Sequence, residues 1–195
     1  GIKCNSVGFL VDDNQAMVWR GPMVVGAFNQ ILNDTSWGEL DYLIIDMPPG
    51  TGDIQLSLAQ SVPVTGAVIV TTPQHVALLD AKRGIEMFRK VQVPILGVVE
   101  NMGLHICSQC GHSEHIFGEG GADRIAYAYD VEVLGSLPLD GKIRAQCDAG
   151  TPAVAAEPNS KVSQIYGQIA LRISAQLAGI GKPGSDMPSI SVSDD

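Results

Sequence analysis

The chain has 195 residues, 45% of them hydrophobic, with 12 Lys and Arg against 21 Asp and Glu and a formal net charge of −9. Length and apolar content suit one globular domain with a real core, while the acidic balance argues against non-specific nucleic-acid binding, which needs a basic face. No apolar run approaches the ~18 residues of a membrane span, and four cysteines without a signal peptide at this end favour a reducing compartment and metal or reactive thiols over disulfides.

In chain order, residues 6–11 read as a strand and residues 19–32 as a helix with Gly21-Pro22 near its start. Residues 42–46 read as a buried strand, because Leu43-Ile44-Ile45 is wholly apolar and ends in Asp46. A short helix over residues 54–60 follows, with Asp53 as its expected cap. Residues 66–71 form a second buried strand that stops at Pro73, and residues 76–91 a helix with Leu78, Leu79, Ile85, Met87 and Phe88 as its apolar positions. A third strand lies within residues 94–101, a helix over 122–129, and a last strand over 131–134. Residues 160–177 are an amphipathic helix with Val162, Ile165, Tyr166, Ile169, Ile173 and Leu177 on one face. Strands separated by helices imply βαβ units, hence an α/β fold with a doubly wound, mostly parallel sheet. The ordered domain is expected over residues 1–180. Residues 181–195, rich in Gly, Pro, Ser and Asp, are expected to be a disordered acidic tail.

The run Asp46-Met47-Pro48-Pro49-Gly50-Thr51-Gly52-Asp53 is the most informative stretch. A buried strand that delivers one carboxylate to the carboxyl edge of a sheet, followed by a glycine loop, is how P-loop NTPases place the Asp that holds Mg²⁺. The phosphate cradle G-x-x-x-x-G-K-[ST] is missing from the sequence. Gly118-Glu119-Gly120-Gly121 has no Lys, and Lys182 of Gly179-Ile180-Gly181-Lys182 is followed by Pro183. Since the chain begins at Gly1 and not at Met, an N-terminal part carrying that loop is expected to be absent.

Cys107 and Cys110 form C-x-x-C, with His112 and His115 just behind and His105 just before. Two thiolates at that spacing can point at one metal and leave it half coordinated. Either His112 and His115 complete a zinc site, or a second chain brings two more cysteines around a zinc or a four-iron cluster on a two-fold axis. Spacing alone leaves both open, and the three histidines are equally consistent with solvated loop positions. Cys4 and Cys147 are expected to be ordinary buried thiols.

Val18-Trp19-Arg20-Gly21-Pro22-Met23, the Asp46–Asp53 loop, Thr72-Pro73-Gln74, Glu100-Asn101-Met102, Cys107-x-x-Cys110, Leu137-Pro138-Leu139-Asp140 and Ile143-Arg144 occur here in that order. Together they resemble the Mrp/ApbC (NUBPL-like) group of iron–sulfur cluster carrier ATPases within the MinD/ParA-like deviant P-loop NTPases. The resemblance covers roughly residues 1–178. It implies an ATP-binding homodimer whose Cys107 and Cys110 bridge a labile [4Fe-4S] cluster between subunits and pass it to apo iron–sulfur proteins. It also implies that Asp46 is the Walker B-type, Mg²⁺-associated catalytic Asp, that Gly50 lies near the γ-phosphate, that Asn101 recognises adenine, and that Pro138 to Asp140 lie along the base. The group's deviant Walker A lysines and the Asp after them are absent, so ATP hydrolysis is expected only of an intact protein. No nucleic-acid or membrane partner is implied, and the expected location is the cytoplasm, or the mitochondrial matrix if a transit peptide precedes Gly1. Two other readings are a zinc-stabilised dimerisation module without catalysis and a MinD/ParA-type positioning ATPase. The second is disfavoured by an acidic tail and a C-terminal helix whose only basic residues are Lys161 and Arg172.

Overall fold

The run Ile95-Leu96-Gly97-Val98-Val99 becomes the centre of a parallel sheet because its residues are apolar toward both faces. The computed structural model describes residues 1–9, 21–107 and 109–180. They fall into two compact units, Gly1–Pro63 and a second from Val64 onward.

The second unit holds the sheet. Strand β1 (Ala67–Thr71) pairs in parallel with β2 (Ile95–Ile106), and β2 pairs in parallel with β4 (Val133–Leu139). The two-residue strand β3 (Ser113–Glu114) folds back antiparallel on the end of β2. Helices α3 (His75–Lys90) and α4 (Gly121–Tyr129) make the crossovers between the parallel strands. Successive residues of a strand face opposite ways, so Val98 and Val99 enter different cores. On one side Ile69 and Val98 pack with Leu78, Ala81 and Ile85 of α3 and with Ala122 and Ile125 of α4. On the other, Val99, Leu134 and Leu137 meet Ile169 of α7 (Lys161–Gly179), flanked by Ile165, Tyr166 and Ile173. The hydroxyl of Ser160 accepts the Ser163 N–H at 3.1 Å and caps α7, as the sequence pattern requires. Two short helices, α5 (Gly141–Asp148) and α6 (Ala153–Ala156), lie between β4 and α7 and were not expected. Strand β4 also starts and ends later than its expected span of residues 131–134. Gly135 and Ser136 disguise it in sequence, but Gly135 is small because Ile169 approaches to 2.7 Å of where a Cβ would stand.

The first unit holds α1 (Gly21–Asp34) and α2 (Asp53–Ser61), which contact each other. Three expectations need correction here. Residues 7–9 form one 3-10 turn instead of a strand. Asn5 Oδ1 accepts the Ser6 N–H and Ser6 Oγ accepts the Gly8 N–H, so short polar side chains take donors a ladder would need. Residues 42–46 carry no ladder bonds among the described residues, and Ile44 is 91% exposed. A parallel strand exists only through its neighbours, and the described residues of this unit contain no strand to pair with. Asp53 is the first residue of α2, and the cap position belongs to Gly52. The expected start of α1 at residue 19 and the expected tail at residues 181–195 lie outside the described residues.

Ile125 is fully buried while Tyr127, two residues along α4, is 94% exposed. Ile125→Ala is expected to lower the unfolding free energy by about 2–5 kcal/mol, and Tyr127→Ala to change it by less than about 0.5 kcal/mol. Urea denaturation of the two variants checks the pair.

Candidate functional site

Glu100 sits in β2 at the point where the strand's apolar run ends, and it is only 8% exposed. Its Oε2 accepts the backbone N–H of Ala122 at 2.9 Å, in the first turn of α4, and its Oε1 lies 3.4 Å from the Ser136 hydroxyl of β4. A buried carboxylate is tolerable because a helix N-terminus supplies a donor and a favourable dipole. The surroundings leave room for nothing else. A Cβ at Gly103 would stand 2.4 Å from Ser136 Oγ and 2.7 Å from Glu100 Oε1, and one at Gly121 would meet Pro73 Cα at 2.7 Å. Just past Glu100 the β2–β4 register slips, and Met102 takes a left-handed φ of 60°. Asn101 lies inside that irregularity, half-buried and without a ladder partner on β4. Beyond it β2 resumes, with Leu104 opposite Pro138 and His105 opposite Leu139.

The resumed strand ends in the cysteine turn. Cys107 N–H donates to the His112 carbonyl and Gly111 N–H to the Cys107 carbonyl, both at 2.9 Å, which closes a tight turn above the β2–β3 pair. Cys107 is half-buried and Cys110 exposed. The Cys107 thiol is held below the ordinary cysteine pKa. The main cause is the backbone N–H of Cys110, followed by that of Gln109 and by the Cys110 thiol; partial burial opposes them and nearby His105 adds a small lowering. N–H groups aimed at a sulfur favour its thiolate, the form that ligates metal.

The histidines have other ties. Nδ1 of His105 is 3.0 Å from the Leu139 carbonyl and Nδ1 of His115 is 2.6 Å from the Gly103 carbonyl, so each donates its Nδ1 proton to backbone, and His115 Nε2 lies 3.8 Å from Glu119 Oε1. His112 is exposed. Among the described residues no three His, Cys, Asp or Glu side chains converge on a point that could hold a metal ion. The expectation of buried Cys4 and Cys147 is corrected: both are exposed, since Cys4 precedes the Asn5–Phe9 turn and Cys147 lies on α5, which has no buried residue.

The remaining sequence candidates divide between the two units. Pro138 is the penultimate residue of β4 and Asp140 stands just beyond the strand, where its Oδ1 accepts the Lys142 N–H at 2.8 Å and caps α5. Asp46 and Gly50 belong to the first unit. Asp46 is exposed and has no ion pair or side-chain hydrogen bond among the described residues. Gly50 has φ 107°. Gln55 of α2, which the sequence reading passed over, grips this loop: its Oε1 accepts the Gly52 N–H at 3.0 Å and its Nε2 donates to the Pro49 carbonyl at 2.7 Å. A Gln three residues after a glycine at a helix start was the available signal. For Glu100 the signal was a lone carboxylate continuing an apolar strand.

A parallel sheet covered by helices on both faces is an α/β architecture shared with proteins of the P-loop NTPase class. The septum site-determining protein MinD of Pyrococcus horikoshii, solved with Mg-ADP, matches 84% of the chain with 59% of its own length, at a TM-score of 0.57 and 25% identity. A nucleotide-binding protein of Archaeoglobus fulgidus, solved with ADP, matches 66% of the chain with 53% of its own, at a TM-score of 0.60 and 39% identity. The chain belongs to the NUBPL iron-transfer P-loop NTPase family of the ParA group, whose family model matches residues 1–174. It is 63% identical over 171 residues to the iron-sulfur cluster carrier protein of Pseudomonas fragi, which covers 88% of the chain and 60% of that relative. It is 50% identical over 177 residues to the iron-sulfur cluster transfer protein NUBPL of Mus musculus, which covers 91% of the chain and 56% of that relative. The chain thus spans little more than half the length of these relatives. No helix among its described residues is long and apolar enough to cross a membrane.

Because the folded-state pKa of Cys107 is lowered, its thiolate persists as pH falls to values where an unperturbed cysteine is already protonated. Iodoacetamide labelling of Cys107, followed against pH by peptide mass spectrometry, is expected to have a lower midpoint in the folded protein than in urea. Gln109→Pro, which removes one donor, is expected to move that midpoint upward.

Proposed function

We propose that this protein is an ATP-dependent carrier of iron–sulfur clusters. The observation that carries the reading is the open cysteine pair: Cys107 and Cys110 sit on one exposed turn, backbone N–H groups hold the Cys107 thiol below its ordinary pKa, and no third ligand converges on them among the described residues. The names of its relatives, an iron-sulfur cluster carrier and an iron-sulfur cluster transfer protein, support it. The cargo is a [4Fe-4S] cluster, to which two copies of the chain contribute Cys107 and Cys110 each, so that four thiolates meet on a two-fold axis. Transfer to an apo iron–sulfur protein is ligand exchange. Each recipient thiol gives up its proton and binds iron, and each departing carrier thiolate takes a proton up. Exposure of the turn gives the incoming thiol access.

The nucleotide is ATP with Mg²⁺. The unpaired, exposed carboxylate of Asp46 suits a hydrated cation, which when bound supplies charge neutralisation at the β- and γ-phosphates. Gly50, with no side chain to obstruct it, brings backbone close to the γ-phosphate. Asn101 presents its amide to the base, and Pro138 and Asp140 line it. Gly118-Glu119-Gly120-Gly121 provides no lysine for a phosphate cradle. Nucleotide state would alter the Gly50–Asp53 loop and the contact between copies, and through it cluster retention.

Anaerobic incubation with ferrous iron and sulfide is expected to give a broad thiolate-to-iron charge-transfer band and about four irons per two chains, both lost in Cys107→Ser/Cys110→Ser. Tight zinc binding with no acid-labile sulfide would instead make the turn a structural zinc site. In the whole protein, Asp46→Asn is expected to lower ATP hydrolysis on the order of 100-fold with cluster loading retained. Phosphate release and iron counts on the same preparation check both halves.

A further inference from the structure

The loop from Pro49 to Gly52 contains two glycines and is the segment a phosphate would have to meet, yet it is held in one conformation by a single side chain. Gln55 is only 8% exposed. Its amide faces a backbone acceptor and a backbone donor at once, Pro49 C=O at 2.7 Å and Gly52 N–H at 3.0 Å. Those two partners fix the amide's orientation, since the carbonyl oxygen must accept and the nitrogen must donate. The ring so closed contains Gly50, whose φ of 107° no L side chain adopts comfortably, and a Cβ there would stand 3.2 Å from Gln55 Nε2. The same interaction starts α2. Gly52 is the cap residue but has no side chain, so the Gln55 oxygen makes the only side-chain bond of a half capping box.

We propose that Gln55 is a positioning residue for the γ-phosphate. Its amide pre-forms the Pro49–Gly52 loop before nucleotide arrives, so that the entropy of ordering a two-glycine segment is not charged against binding. The proposal rests on the nucleotide reading of Gly50 given above and adds to it the device that shapes that loop. It carries a specific signature. A contact made only to the γ-phosphate separates ATP from ADP, so a residue that pre-forms that contact controls the ratio of the two affinities and not their common part. A residue that merely held the fold together would lower both.

The test uses the whole natural protein with Gln55→Met, which keeps length and apolar bulk, and Gln55→Glu, which keeps the acceptor for Gly52 N–H but sets a carboxylate against the Pro49 carbonyl. Dissociation constants for a non-hydrolysable ATP analogue and for ADP are measured by calorimetry. Loss of both hydrogen bonds in Gln55→Met, and of the Pro49 bond with carboxylate–carbonyl repulsion in its place in Gln55→Glu, predicts a loss of about tenfold or more in the analogue's affinity for each variant, with ADP changed less than about twofold. Equal weakening of both nucleotides, or no change in either, with a parent that binds the analogue normally, overturns the role of Gln55 and leaves the carrier reading intact. A parent that binds neither nucleotide overturns the nucleotide reading and the Gln55 role with it. Amide exchange adds a nucleotide-free readout. Gly52 N–H is expected to be protected in the apo parent and to lose protection in Gln55→Met, and an unprotected Gly52 in the parent also overturns the proposal.

Discussion

The second unit depends on a buried carboxylate that has no cation paired with it among the described residues. Glu100 leaves the central strand, is capped by the first turn of α4 and touches Ser136 on the neighbouring strand. One side chain therefore ties together the strand, the helix on one face and the adjacent strand. Its tolerance requires the absence of side chains at Gly103 and Gly121, so the glycine pattern of this region is a consequence of where the carboxylate lies. Replacing it with an apolar residue of similar size would strand the Ala122 N–H in the interior, where an unpaired donor costs about 1–3 kcal/mol. The more informative consequence is geometric. The strand kinks just past Glu100, with Met102 in the left-handed region and Asn101 without a ladder partner on β4.

What that kink releases, the end of β2 recaptures. Leu104 and His105 pair again with β4, and His105 and Ile106 pair with β3, so the cysteine turn is a hairpin braced on both edges. The Nδ1 atoms of His105 and His115 reinforce the brace by donating to Leu139 and Gly103 carbonyls. His105 before the C-x-x-C pair and His115 after it thus serve the scaffold, and among the described residues no third His, Cys, Asp or Glu side chain converges with the two sulfurs.

Much of this was legible in the residues. The apolar runs at Val68–Val70 and Leu96–Val99 gave strands, the 3.6-residue patterns of α3, α4 and α7 gave helices, and Ser160 marked the start of the last one. Cys107-x-x-Cys110 was visible as a ligand pair. What stayed hidden depended on partners distant in sequence. Leu43-Ile44-Ile45 has the composition of a buried strand, but a parallel strand is a property of its neighbours, and composition cannot say whether one is there. The continuation of β4 through Gly135 to Leu139 was disguised because small residues in a strand report close packing from another element, here Ile169, and not a turn. Glu100 looked like the polar end of a strand, whereas it is the point on which α4 is hung.

The same accounting bears on how tightly such a turn can hold an anionic cargo. An iron–sulfur cluster with four thiolate ligands is negatively charged, and a site built to retain it would place fixed cations nearby. Residues 101–118 contain neither Lys nor Arg, and the chain as a whole is acidic. The stabilisation offered to Cys107 comes instead from the N–H groups of Cys110 and Gln109, dipoles that are exposed to water and therefore weakened by it. Such donors lower the thiol's pKa but add little Coulombic attraction for the cluster as a whole. A turn of that kind favours assembly when thiolates are supplied from two sides and favours surrender when a recipient brings its own. On the carrier reading proposed above, neutral backbone donors on an exposed turn would keep affinity for the cluster below that of a recipient, where a permanent electron-transfer centre would need fixed cations.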